Sequence, residues 1–212
     1  MSGAGELHGQ VATPVHGLPD TPPVEVLNLS DLPADLQDIL RPRVERLGYL
    51  GAFFSLAGYQ PEALGGFITF TEALKQALPT DLAEVVALTV AARLGVEYEL
   101  TQHRRLARSM QLSQTWIDAV TSTVERPSEL TSAQQGVRDL SHAVLDDFGR
   151  SARPAFERLV AVLGAAKAVA VLLLISRYVA HGCVANTLGL TAPTAVQSVR
   201  PAAEVAGGPV AG

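Results

Sequence analysis

DLAEVVALTVAARLGVEYELTQHRRLA, residues Asp81 to Ala107, is the stretch on which the reading of the fold turns. Its first half places Leu82, Val85, Val86, Leu88, Thr89, Val90 and Leu94 almost all the way round a helical cylinder. A helix apolar on every side is a buried helix. Glu84 sits inside this buried turn, and a carboxylate there needs a partner. Gly95 is where the helix can end or bend. The pattern then resumes with Val96, Glu99 and His103 at i, i+3 and i+7, stacked along one face, so that Glu99 and His103 lie one turn apart and can meet.

Outward from this pair the chain reads as helices separated by Gly and Pro. Ser30 or Asp31 caps a first helical region with Pro33 in its first turn, and Pro42 is expected to break or kink it. The pattern continues through Val44, Leu47, Leu50, Phe53, Phe54 and Leu56 to a boundary at Gly58 and Pro61, where a helix through Phe67, Phe70 and Leu78 begins. These phenylalanines are expected in the core, with some left to line a pocket. Thr80 is the expected N-cap of the central helix, with Asp81 and Glu84 near its positive end, which gives Glu84 an alternative role in compensating the helix dipole. Ser113 caps a short helix carrying Trp116, Ile117 and Val120. Pro127 marks a linker, Thr131 with Gln134 forms a capping-box signature, and Pro154, Gly164 and Gly189 bound the last two helices. No alternating strands are recognisable. The fold class is therefore all-α, with about seven or eight helices around one core.

Composition narrows the function. The 212 residues are 48% apolar and 17% charged, enough for one sizeable core. A net charge of -5 with scattered arginines argues against a nucleic-acid partner. Leu159 to Ile175, LVAVLGAAKAVAVLLLI, is nearly all apolar, but Gly164 and Lys167 interrupt it short of the roughly 20 residues that span a bilayer. It is expected in the core or in an interface between subunits, not in a membrane. The single cysteine, Cys183, leaves no dithiol motif, and it is expected to be a small buried residue of the last helix. The first residues lack the basic start and apolar segment of a secretory signal, so a cytoplasmic location is expected. His8 and His16 lie in this arm without a third ligand nearby, and no metal site is expected there. His142 is expected at the surface or its boundary.

The spacing of Glu84, Glu99 and His103 resembles that of the carboxymuconolactone decarboxylase family, which includes the alkylhydroperoxidase D-like proteins. In the redox-active branch a glutamate, eleven residues, Cys-x-x-Cys and three residues precede a histidine. Glu84 and His103 match this pattern, whereas Val96 and Glu99 stand at the two cysteine positions. Glu97-Tyr98-Glu99 before His103 is instead similar to the cysteine-free members. The resemblance covers residues 29 to 190, with an irregular arm at 1 to 28 and a disordered tail at 191 to 212 expected to flank it.

The resemblance implies the family's helical fold, assembly into a homo-oligomer (dimer, trimer or hexamer) and a small-molecule substrate, with neither cofactor nor metal. In the acid–base form of the chemistry, Glu84, Glu99 and His103 are the expected catalytic residues. They would support decarboxylation, isomerisation or ring opening of a small organic acid or lactone. Tyr98 and His181 are the expected substrate-binding residues, and Arg93, Arg104 and Arg105 are the nearest cations in sequence for a substrate carboxylate. Val179-Ala180-His181-Gly182-Cys183 departs from the asparagine and arginine cluster common at that place in related sequences. Two alternatives stand beside the lyase or isomerase reading. One is a catalytically silent binding or scaffold protein, in which the same side chains fix helix register. The other is a thiol peroxidase, which the missing cysteines disfavour.

Overall fold

The computed structural model describes residues 13–123 and 127–192. The expectations for His8 and the first twelve residues, and for the tail beyond residue 192, lie outside these described residues. Among the described residues the helices are α1 (Ala34–Leu47), α2 (Ala52–Ala57), α3 (Pro61–Gln76), α4 (Thr80–Leu94), α5 (Glu97–Ser109), α6 (Gln114–Thr121), α7 (Ser132–Asp147), α8 (Arg153–Leu163) and α9 (Ala165–Thr187). The architecture is all-α, and its centre is α4. Every residue from Leu82 to Ala91 is buried, because α5, α6, α7 and α9 all pack on this helix. The all-round apolar sequence of α4 is what makes this central position favourable.

Gly95 ends α4 in the left-handed conformation, φ 63°, and the Val96 amide donates to the Ala91 carbonyl at 2.9 Å. This tight closure folds α5 back along α4 and brings Glu84 and His103, nineteen positions apart, side by side. On the other flank, the Thr131–Gln134 capping box forms as expected. The Gln134 amide also donates to Asp81 at 2.8 Å, tying the start of α7 to the start of α4. Arg138 is fully buried in α7, and donates to the carbonyls of Val120 and Ser122 at the end of α6. Its charge is thus placed where a helix leaves carbonyls unpaired.

Several local expectations are corrected. Pro33, not Ser30 or Asp31, occupies the N-cap of α1; the 3-10 turn Leu29–Asp31 is closed instead by Asn28 and Asp31. Pro42 lies within α1 without ending it, and Gly48 in the left-handed conformation provides the stop. The apolar run from Val44 to Leu56 is consequently split, since Leu50–Gly51 (β2) bridges in parallel to Val15–His16 (β1) before α2 begins. Pro79 takes the cap position expected for Thr80. The described part of the arm is also tied in: Thr191 donates to the Gly17 carbonyl at 2.9 Å, and the His16 ring lies 4.6 Å from that of Tyr49. Cys183 is exposed, because its side of α9 faces away from α4.

By length and composition α9 could cross a membrane, yet half of its most apolar window is buried against the other helices. The face it turns inward needs a glycine. A Cβ on Gly182 would stand 2.9 Å from Val96 Cγ2 and 3.4 Å from Leu94, so α9 approaches the α4–α5 turn closely at this glycine. Gly66 of α3 has nothing within 4 Å of such an atom. Urea unfolding should therefore separate the two glycines. Gly182→Ala is expected to cost about 1–3 kcal/mol through overpacking, and Gly66→Ala to stabilise by about 0.5–1 kcal/mol through helix propensity. Equal effects would contradict the close approach.

Candidate functional site

His103 is the hub of the buried polar groups. Its Nδ1 lies 2.7 Å from Glu84 Oε2, and a carboxylate oxygen accepts, so Nδ1 carries a proton. On the other side of the ring, Nε2 is 3.2 Å from Glu99 Oε2 and 3.2 Å from the Tyr178 hydroxyl. Glu99, one turn earlier on α5, turns its second oxygen toward α9, where Oε1 lies 3.2 Å from His181 Nδ1. One carboxylate therefore stands between two imidazoles. The exposures are 1% for Glu84, 7% for Glu99 and His103, and 4% for His181, so these charges interact with little solvent screening.

The two histidines are driven in opposite directions. Burial alone would lower His103, but the charge and hydrogen bond of Glu84, together with those of Glu99, overcome it and raise its pKa to about 9. His181 is lowered to about 4, chiefly by burial and further by the Arg177, His103 and Lys75 charges, which outweigh the attraction of Glu99. Burial would raise Glu99, yet the neighbouring histidines and Arg177 hold it below the usual carboxylate range. At neutral pH the site thus contains an imidazolium at His103, a carboxylate at Glu99 and a neutral imidazole at His181. Tyr98 and Tyr178 are both raised, first by burial, and remain phenols.

A cavity of about 960 Å³ opens beside this cluster. Glu99, His103, Tyr98 and His181 all line it. Glu84 does not: it sits behind the imidazole on α4 and reaches the cavity only through His103. The expectation that Glu84 would converge on the cavity as a second acid or base is therefore corrected, since α4 is sealed on all sides. The arginines are redistributed as well. Arg105 lines the cavity, whereas Arg93 pairs with Asp146 at 2.9 Å on the surface and Arg104 is not part of the lining. His142 is half-buried on α7, its pKa lowered by burial and by Arg138, and it stands apart from the cavity.

Phe53, Phe54 and Phe67 form an aromatic wall, with the His181 ring 3.9 Å from that of Phe53. Among the lining residues that sequence reasoning missed are Lys75, Arg177 and Tyr178. The available signal was Arg177-Tyr178, polar residues just after the apolar run Ala168 to Ile175 of α9, much as Glu84 interrupts the apolar α4. Among the described residues no group of His, Cys, Asp and Glu has the arrangement of a metal site.

The electrostatics carry a signed prediction for stability. His103 binds its proton more tightly folded than unfolded, so its contribution is complete below about pH 6.5 and is lost as the pH rises through about 9. His181 acts on the acid side. Its depressed value means that the unfolded chain binds the extra proton, so stability falls as the pH drops from about 6.5 toward 4. Urea unfolding across pH 4–10 should give a maximum near neutrality, and His103→Gln should flatten the alkaline limb. An unchanged alkaline limb in that variant would contradict the assignment.

The sequence matches no family model and no curated protein. Solved structures do match. The alkylhydroperoxidase AhpD core of an uncharacterized peroxidase-related protein from Ralstonia eutropha JMP134 superimposes with a TM-score of 0.70 at 17% identity, over 81% of this chain and 92% of that one. A protein of unknown function from Agrobacterium tumefaciens gives 0.60 at 19% identity, over 66% and 97% of the two chains. A cysteine-to-alanine variant of the debrominase Bmp8, in complex with 2,3,4-tribromopyrrole, gives 0.70 at 15% identity, over 82% and 94%. By fold, the chain is an all-α protein of the alkylhydroperoxidase D type.

Proposed function

We propose that the protein is an acid–base enzyme, a lyase or isomerase of the carboxymuconolactone decarboxylase type, acting on a small organic acid or lactone. The observation that carries this reading is the His103 ring on the wall of an aromatic cavity, held by a sealed carboxylate at 2.7 Å behind it that favours its charged form. In a decarboxylation the bond from the α-carbon to the carboxyl group breaks, carbon dioxide leaves, and the electron pair remains as an enolate. His103 delivers a proton to that enolate, while the Tyr178 hydroxyl is near enough to help hold its oxygen. An isomerisation uses the same proton delivery after removal of a proton elsewhere on the substrate. Glu99 and neutral His181 are the bases on the wall, and their environments are set apart from that of His103 as acid and base roles require.

In this scheme Glu84 is a positioning residue. It fixes the ring and favours its charged form without touching substrate. The tribromopyrrole complex of the debrominase supports a flat, small ring as the kind of molecule such a cavity takes. Thiol chemistry has no support, because Val96 and Glu99 occupy the paired positions and Cys183 lies alone and exposed on α9. Homo-oligomeric assembly belongs to the same proposal. Val169, Leu173 and Val184 leave part of α9 exposed, which suits a subunit contact.

A panel of β-keto acids and unsaturated lactone acids, followed by carbon dioxide release and product NMR, tests the reading. For a turned-over substrate, His103→Gln should lower kcat by about 100- to 10,000-fold, whereas Cys183→Ala should leave it within about threefold, because no second thiol exists to resolve an oxidised intermediate. Full activity in His103→Gln would contradict it. Loss of activity in folded Cys183→Ala would restore the thiol alternative.

A further inference from the structure

The cavity has a second polar end that the acid–base cluster does not use. Arg177, four positions before His181 on α9, is immobilised on three sides. Its Nε donates to Thr71 Oγ1 at 2.9 Å, and its guanidinium lies 4.8 Å from the centre of the Phe67 ring and 4.3 Å from that of Tyr178. Thr71 is itself fixed by donating to the Phe67 carbonyl at 2.7 Å. Nη1 is closed to water and meets no acceptor. Among the described residues Nη2 has no partner either. An enclosed donor on a charged group is costly to leave unmade. Holding the planar fork in advance also removes most of the entropy that an arginine loses on gripping an oxyanion.

Lys75 stands one turn after Thr71 on α3, on the face turned to α9, and lines the same cavity. Its amine makes no hydrogen bond or ion pair with any described residue. Burial, reinforced by the Arg177 charge, lowers its pKa against the pull of Glu84, Glu72 and Glu99. Around the cavity as a whole, Arg43, Arg46, Lys75, Arg105 and Arg177 are set against only Glu72 and Glu99. Arg43 is engaged by Glu72, whereas Arg177 and Lys75, beside the aromatic wall, form no ion pair with a described carboxylate.

The geometry points to an anion subsite made by Arg177 and Lys75, which takes the carboxylate of a flat, unsaturated or aromatic acid whose ring lies against Phe53 and Phe67. A carboxylate oxygen accepts from Nη2 of the fixed guanidinium, and the carboxylate makes a point-charge contact with the amine. The ring then fills the apolar wall and projects toward His103 and Glu99. This assignment names the substrate class for the acid–base reading and rests on it for turnover. Its test is binding alone, so the two can fail separately.

Isothermal titration of the full-length protein with benzoate, benzamide and inorganic phosphate provides the test. Benzoate is expected to bind, benzamide about tenfold or more weakly than benzoate, and phosphate more weakly than benzoate because it has no ring. Arg177→Met and Lys75→Met should each weaken benzoate binding by about tenfold or more. No benzoate binding to about 10 mM, benzamide or phosphate bound as tightly as benzoate, or undiminished binding in folded Arg177→Met would overturn the subsite. If Arg177→Met does not fold, Lys75→Met decides, and its undiminished binding would overturn the subsite equally.

Discussion

The contact between the His103 imidazolium and the Glu84 carboxylate, 2.7 Å long and almost closed to water, is the constraint that the rest of the structure accommodates. A carboxylate in the middle of a buried helix is tolerable only if a cation reaches it. The cation comes from α5, and α5 can deliver it only because Gly95 turns the chain back on itself in a left-handed conformation. α9 then covers the pair, and it comes close enough only because Gly182 has no side chain to meet Val96. Two glycines and one ion pair thus define how three helices meet.

The same ion pair sets the protonation of the ring. An isolated buried histidine would lose its proton, as His181 does. Beside Glu84 and Glu99 the imidazole keeps it, so two residues of the same type on one cavity wall rest in opposite states at neutral pH. Ion pairs of this kind contribute little net stability, since desolvation offsets most of the attraction. What the pair contributes here is a ring fixed at Nδ1 and held in its charged form, on the wall of a space large enough for a small ring. The fold supplies the scaffold, and in the proposed function the residues around the α4–α5 turn supply the chemistry.

Much of this was legible along the chain. Ten consecutive buried residues in α4 announced themselves as a helix without a polar face, and the i, i+4 spacing of Glu99 and His103 survived intact. The Thr131–Gln134 box, the Ser113 cap and the stop at Gly164 were equally readable, because each is a local interaction between neighbours in sequence. What stayed hidden is what depends on contacts far apart in the chain. The β1–β2 bridge joins residues 35 positions apart and splits an apolar run that reads as one helix. The enclosure of Glu84 behind His103 follows from helices closing over α4, and the fixing of Arg177 by Thr71 spans 106 positions. Arg177 and Lys75 look like ordinary helix cations until α3 and α9 are laid together.

The state of the His103 ring tests the account most directly. With histidine side chains labelled with nitrogen-15, NMR reads the protonation of Nδ1 and Nε2 separately. The account predicts that both His103 nitrogens are protonated at pH 7, with the ring titrating near 9, while His181 is neutral in the same spectrum and titrates near 4. A His103 ring that is neutral at pH 7 would contradict the imidazolium on which both the packing argument and the proposed chemistry depend.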